Sequence, residues 1–200
     1  MVKGNIQRTV EYNWIGIDYG AKLAGTTVIC YVSEDQLHVT QSEKKKDADA
    51  WLQKVISQIG YSNIFFDAPL SLPGAYFGNG DNYFYRLCDK ECAAMSPMFL
   101  GGLTARAMKL KALMSQYNFQ ETYPGYLVRK VLMISEIYPK KKKYEGQLDD
   151  FFYNKLPIPL YKNPENWHQV DAILCWMSGW RYSRNEAVII GDPDEGLIIV

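Results

Sequence analysis

The sequence has no apolar run long enough to span a bilayer as a helix. Residues 1–13 lack the apolar core of a signal peptide, so secretion is not expected and a cytoplasmic location is. Net charge is absent as well: 22 Lys and Arg stand against 22 Asp and Glu. A strongly basic nucleic-acid binder is therefore not indicated, although a local basic patch stays open. Cysteine is scarce, with Cys30, Cys88, Cys92 and Cys175 only. Cys88 and Cys92 have the spacing of half a zinc site, but no second ligand pair follows them. All four are expected as reduced thiols in the core. Internal repeats, low-complexity segments and interdomain linkers are missing too. The 200 residues are thus expected to form one domain with a full core and no membrane partner; the oligomeric state is open.

What is present is an ordinary globular composition, 48% hydrophobic and 22% charged, with 15 tyrosines that suit a wet cleft as well as a core edge. Its organising stretch is Trp14-Ile15-Gly16-Ile17-Asp18, an apolar run that reads as a buried strand ending in a carboxylate. Gly16 lets another element approach that strand closely. Ile64-Phe65-Phe66-Asp67 repeats the pattern, and Pro69 stops it. If these strands lie side by side and parallel, Asp18 and Asp67 face each other at one end of a sheet. Two carboxylates about 4 Å apart repel by roughly 4 kcal/mol at an effective dielectric near 20, and a divalent cation would turn that cost into binding.

Between the two acids, 26–32 and 36–41 read as strands joined by a turn at Ser33-Glu34-Asp35, so strands one to three form an antiparallel meander. Asp47 or Asp49 can start a helix whose apolar face holds Leu52, Val55, Ile56 and Ile59, and Gly60 stops it. A helix at that point is a crossover, which makes the strand ending at Asp67 parallel to a neighbour. Residues 69–99 read as a long irregular insertion rich in aromatics. Starting directly after Asp67, it forms either a wall or lid over that site or a surface excursion that covers the sheet edge. A helix over 103–117, a fifth strand over 119–123 and further helices over 126–133 and 148–156 follow. Pro164 in Asn163-Pro164-Glu165 marks the start of the last helix, which carries Asp171 within its first two turns. Residues 188–200 read as a terminal hairpin. Arg86 and Asp89 have the spacing of an ion pair that would fix the insertion, with substrate contact as the other role for Arg86. Lys140, Lys141, Lys142 and Lys143 form a basic loop, either simply solvated or in contact with substrate phosphates.

Several blocks in this order carry a resemblance. They are Ile15-Gly16-Ile17-Asp18, Asp67-Ala68-Pro69-Leu70-Ser71-Leu72-Pro73, Arg86-Leu87-Cys88-Asp89, Glu121-Thr122-Tyr123-Pro124, Val170-Asp171-Ala172-Ile173-Leu174-Cys175 and Gly191-Asp192-Pro193-Asp194-Glu195-Gly196. Spanning nearly the whole chain, they resemble an uncharacterised prokaryotic family of predicted ribonuclease H-like nucleases. The resemblance implies an α/β ribonuclease H-like domain with a five-stranded mixed sheet, three strands antiparallel and two parallel, flanked by helices. It implies a metal-dependent nuclease that hydrolyses phosphodiester bonds of DNA or RNA with Mg²⁺ or Mn²⁺. Asp18 would bridge the metals, Asp67 would bind one, Asp171 would supply the helix-borne ligand, and Glu121 would be the fourth acid. His168, one turn before Asp171, would serve the same face as a proton shuttle, against its plainer reading as a surface or capping residue.

Two other functions fit the same residues. A non-catalytic protein of this fold would bind a nucleic acid or a protein partner; the four acids favour the enzyme over it, while zero net charge weakens the nucleic-acid case. A phosphotransfer ATPase of the actin and sugar-kinase type builds on the same strand pattern, but it needs two such domains and this chain has room for one.

Overall fold

The computed structural model describes residues 12–138, 143–146, 148 and 150–200. Strand β1 (Trp14–Asp18) is buried along its whole length. β2 (Val28–Ser33) pairs antiparallel with β1, and β3 (Gln36–Gln41) pairs antiparallel with β2. Glu34 and Asp35, the two residues between β2 and β3, both have positive φ, at 50° and 56°. That is the backbone that lets a two-residue loop follow the twist of its strands. Asp47 caps α1 (Ala48–Ile59), its Oδ1 accepting from the N–H groups of Asp49 and Ala50 at 2.9 and 3.2 Å. Gly60 closes the helix in the left-handed conformation, φ 76°.

The crossover through α1 returns β4 (Asn63–Asp67) parallel to β1. The insertion then holds a 3₁₀ turn (Gly74–Phe77), α2 (Leu87–Cys92) and α3 (Pro97–Leu100). α4 (Gly102–Leu113) leads to β5 (Asn118–Glu121), which is parallel to β4. α5 (Pro124–Tyr126) runs on into a π-helical stretch (Leu127–Leu132), and α6 (Asp150–Tyr153) and α7 (Trp167–Ser183) follow. β6 (Ile189–Asp192) and β7 (Gly196–Ile199) end the order.

The sheet has seven strands in the order β3-β2-β1-β4-β5-β7-β6, not the five expected. The terminal hairpin forms, but it extends the sheet: β7 lies parallel to β5, with Glu121 opposite Ile198. The physical reason is the edge of β5, whose backbone groups would otherwise go unpaired. Ile198 and Ile199 supply the apolar side chains that make the join, and both are buried. Other limits also move. The helix expected over 103–117 ends at Leu113, the one over 148–156 contracts to Asp150–Tyr153, and the fifth strand ends at Glu121. α7 begins at Trp167, because Asn166 has extended backbone and its Oδ1 accepts the Gln169 N–H. No helix among the described residues is long and apolar enough to cross a membrane.

Alternation along the central strands sorts the core into two layers. Ile15 and Ile17 of β1 and Ile64 and Phe66 of β4 join Leu52 and Ile56 of α1 and Leu110 of α4. Trp14 and Phe65 face the other way and join Val170, Ile173 and Trp176 of α7. Gly16, Asp18 and Asp67 share this second parity, so both strand-end acids fall on the α7 side of the sheet.

Candidate metal centre

The centre is built by the docking of α7 on β1. A Cβ at Gly16 would lie 2.1 Å from the Trp176 nitrogen and 2.5 Å from the Ala172 carbonyl oxygen. The helix backbone therefore rests directly on the strand backbone at this residue, as the glycine predicts. From Gly16 to Asp18 the strand advances about 6.6 Å. From Ala172 back to His168 the helix covers about 6 Å. One contact thus brings the first turns of α7 level with the end of β1. At the same end, Asp18 and Asp67 are direct neighbours in the parallel β1–β4 register.

Asp18, Asp67 and Asp171 each place a carboxylate oxygen so that all three atoms lie within 4.8 Å of one another. Asp18 is 8% exposed and Asp171 only 2%. Recessed carboxylates this close repel one another, and hard oxygen donors converging on one point suit Mg²⁺ or Mn²⁺ rather than a soft metal. The donor set therefore fits the cation that the sequence implies. His168 Nδ1 is 2.8 Å from Asp18 Oδ2, which puts this histidine at the centre and not merely at a helix start. The Tyr138 hydroxyl donates to Asp171 Oδ1. Burial, and then the neighbouring charge of Asp171, push the Tyr138 phenol far above its ordinary pKa, so it stays a donor. Tyr138 was not legible as a site residue. It stands 33 residues from Asp171, outside any helical or strand spacing.

Asp18 and Asp67 open into a cavity of about 300 Å³. The insertion builds much of its wall through Pro69, Ala94, Met95 and Leu100, and α4 adds Leu103. Both readings of residues 69–99 are met: the insertion walls this cavity, and its helix α2 packs on the edge strand β6 through Cys88 and Cys92. Glu195, in the turn between β6 and β7, ties this wall down. Its carboxylate accepts from the N–H groups of Gly74 and Leu87, each at 2.9 Å, and its carbonyl accepts from the Ser71 hydroxyl.

Glu121 does not join the three aspartates. Its carboxylate accepts two hydrogen bonds from Arg86, at 2.8 Å from Nη1 and 2.6 Å from Nη2, and one from the Leu70 N–H at 2.9 Å. The expected fourth metal ligand is instead the partner of a buried arginine. Burial pushes the Glu121 carboxyl above the ordinary carboxylate range, while the Arg86 guanidinium and the Leu70 N–H pull against that shift. Arg86 is fully buried, and its Nε and Nη2 also bond Asp89 at 3.1 and 2.7 Å. The Arg86–Asp89 pair that fixes the insertion is present. A substrate-binding role for Arg86 is not, because a guanidinium committed to two carboxylates inside the core has nothing to offer a ligand. Lys140, Lys141 and Lys142 lie outside the described residues, and Lys143 is exposed. All four cysteines are buried and outside any disulfide, and burial pushes the Cys88 and Cys92 thiols up to about 12, which disfavours the thiolate that zinc would need.

No protein-family model, curated protein or solved structure gives a significant match to this chain.

Proposed function

We propose that the chain is a ribonuclease H-like, divalent-metal-dependent nuclease that hydrolyses phosphodiester bonds of DNA or RNA. One observation carries this reading: three carboxylate oxygens, from the ends of two adjacent parallel strands and the first turns of a helix, within 4.8 Å of one another. The antiparallel meander β3-β2-β1 followed by parallel β4 and β5 agrees with the fold that the resemblance implies. Mg²⁺ or Mn²⁺, when bound, supplies the Lewis acid that activates a water and stabilises the leaving oxygen. Asp18, Asp67 and Asp171 would hold it. Tyr138 orients Asp171 through its hydroxyl. His168, whose Nδ1 lies 2.8 Å from Asp18 Oδ2, would serve as the proton shuttle beside the centre.

The commitment of Glu121 to Arg86 favours a second reading, a non-catalytic protein of the same fold that binds a nucleic acid or protein partner. The two separate in a cleavage screen over single-stranded, duplex, hybrid and branched substrates with Mg²⁺ or Mn²⁺, using Asp18→Asn as control. Metal-dependent cleavage that the substitution abolishes supports the nuclease. No cleavage of any substrate, or cleavage that survives Asp18→Asn, sinks it.

A further inference from the structure

We infer that Arg106 is a positioning residue of the metal centre: together with Asp49 it clamps Tyr19 and Gly20, the two residues that follow Asp18, and so sets where the Asp18 carboxylate points. This rests on Asp18 being a metal ligand, as in the nuclease reading, and adds a device on the opposite layer of the fold.

The sheet leaves a need for such a clamp. Asp18 is the last paired residue of β1, with Val28 on one side and Asp67 on the other. Beyond it the chain leaves the ladder, and a side chain at a strand end is only as well fixed as the backbone that follows. α7 approaches the carboxylates from one face, through His168 and Asp171. Tyr19 turns to the other face, into the core layer of α1 and α4.

Several bonds converge there. Tyr19 is buried, and its hydroxyl donates to Asp49 Oδ1 at 2.7 Å. The Arg106 guanidinium carbon lies 4.7 Å from the centre of the same ring. Arg106 Nη1 donates to the Gly20 carbonyl at 3.1 Å, while Nε and Nη2 donate to the two oxygens of Asp49 at 3.1 and 2.6 Å. The Gly20 N–H donates to Thr27 Oγ1 at 3.1 Å, so both polar groups of Gly20 are bonded. Asp49 belongs to the first turn of α1 and Arg106 to α4. One guanidinium thus joins two helices to the backbone just past Asp18. Tyr19 also lines the cavity beside Asp18 and Asp67, so the clamped ring is part of the wall onto which the centre opens.

Stability is a poor account of this arrangement. The Arg106–Asp49 pair is 21% exposed on both sides, where an ion pair contributes little. An apolar side chain between α4 and the Tyr19 ring would fill the space at comparable energy. What the planar fork supplies is geometry, because it holds a carboxylate and a carbonyl at once in fixed directions. Metal ligands need that: supporting groups must hold them within about 0.5 Å of the productive position.

Charge and positioning predict opposite signs for Arg106→Met. The substitution removes a cation near the centre and leaves Asp49 negative, so Coulomb attraction by itself would tighten Mn²⁺ binding. Loss of a positioning residue weakens it, by about tenfold or more.

Titration calorimetry with Mn²⁺ on the wild type, Arg106→Met, Tyr19→Phe and Asp18→Asn tests this, with thermal melts in EDTA to report folding. Arg106→Met and Tyr19→Phe should each weaken Mn²⁺ binding by about tenfold while melting close to the wild type. Binding in Arg106→Met as tight as in the wild type, or tighter, overturns the inference and leaves the nuclease reading standing. If Arg106→Met does not fold, Tyr19→Phe decides, because it removes one hydroxyl and no charge; unchanged affinity there overturns the inference. Affinity lost only together with a large fall in melting temperature assigns the clamp to stability and overturns it too. Cleavage with Mg²⁺ or Mn²⁺ is read separately. Weakened binding in both variants, with no cleavage of any substrate by the wild type, keeps the inference and removes the nuclease reading. A wild type that binds Mn²⁺ no better than Asp18→Asn overturns both.

Discussion

Gly16 and Trp176 are in backbone contact: a methyl group on the glycine would sit 2.1 Å from the Trp176 nitrogen. No side-chain rearrangement relieves that overlap, because the opposing atoms belong to the α7 main chain. Gly16→Ala is therefore expected to push the helix off β1, costing about 1–3 kcal/mol or more, and to draw Asp171 and His168 away from Asp18. Gly179→Ala is the control. Its Cβ would meet ring atoms of Trp14 and Phe65 at 2.3–2.8 Å, at the far end of the helix. Thermal melts should show both variants destabilised, while Mn²⁺ titration calorimetry should show affinity lost at Gly16→Ala and largely kept at Gly179→Ala.

Asp67→Asn should make the metal-free protein more stable. Removing one of three crowded carboxylates relieves a repulsion of up to about 4 kcal/mol per close pair at an effective dielectric near 20, so a gain of about 1 kcal/mol or more is expected in EDTA. The same variant should lose the rise in Tm that Mn²⁺ gives the wild type. A fall in EDTA stability would mean that Asp67 is held mainly by structural bonds.

Glu121→Gln separates the buried arginine cluster from the metal centre. The amide keeps an acceptor for Arg86, which also keeps Asp89, so a loss of about 1–3 kcal/mol is expected. Mn²⁺ affinity should not change. Arg86→Met leaves Asp89 and Glu121 buried together without a cation and should cost about 3–5 kcal/mol. Urea unfolding measures both; reduced Mn²⁺ affinity in Glu121→Gln would return that residue to the metal centre.

Asp47 gives a pH-dependent prediction. Hydrogen bonds from Lys22 and then from the Ala50 N–H hold its carboxyl below the ordinary aspartate value. A lowered folded value means that its stabilisation is complete above the unfolded value of about 3.9 and fades as pH falls through the folded one. Asp47→Ala should cost about 1 kcal/mol at neutral pH, almost all of it from the cap. The Lys22 contact is solvent-exposed and contributes little, less still in salt. The difference between variant and wild type should shrink toward zero near pH ~2, and a constant difference across that range would contradict the capping account.

Local signals carried much of this architecture. Two apolar runs ending in Asp18 and Asp67, with a crossover between them, predicted the adjacent parallel strands that are found. Gly16, Asp47 and Gly60 each revealed a close approach or a cap through chemistry confined to a few neighbouring residues. What stayed hidden depends on long-range partners. Glu121 ends a strand as a ligand would, and only the fold shows Arg86, 35 residues away, occupying its oxygens. The join of β7 to β5 is a single registered pair between distant segments, too small a feature to leave a periodic trace. Asn166 outcompetes the proline cue at Pro164 because its side chain reaches the Gln169 N–H, a choice set by backbone geometry rather than composition.

Glu195 gives the wall of the cavity its mechanical character. By accepting from Gly74 and Leu87 at once, this single carboxylate joins the start of the insertion and the first residue of α2 to the turn of the last hairpin. Those bonds must break before the wall can swing away from the acids. These bonds couple the insertion to the hairpin, so amide hydrogens on both sides of the joint are expected to share one opening free energy in hydrogen exchange. Access to the recessed carboxylates is in this way governed from an outer edge of the sheet, by strands that contribute no acid to the triad.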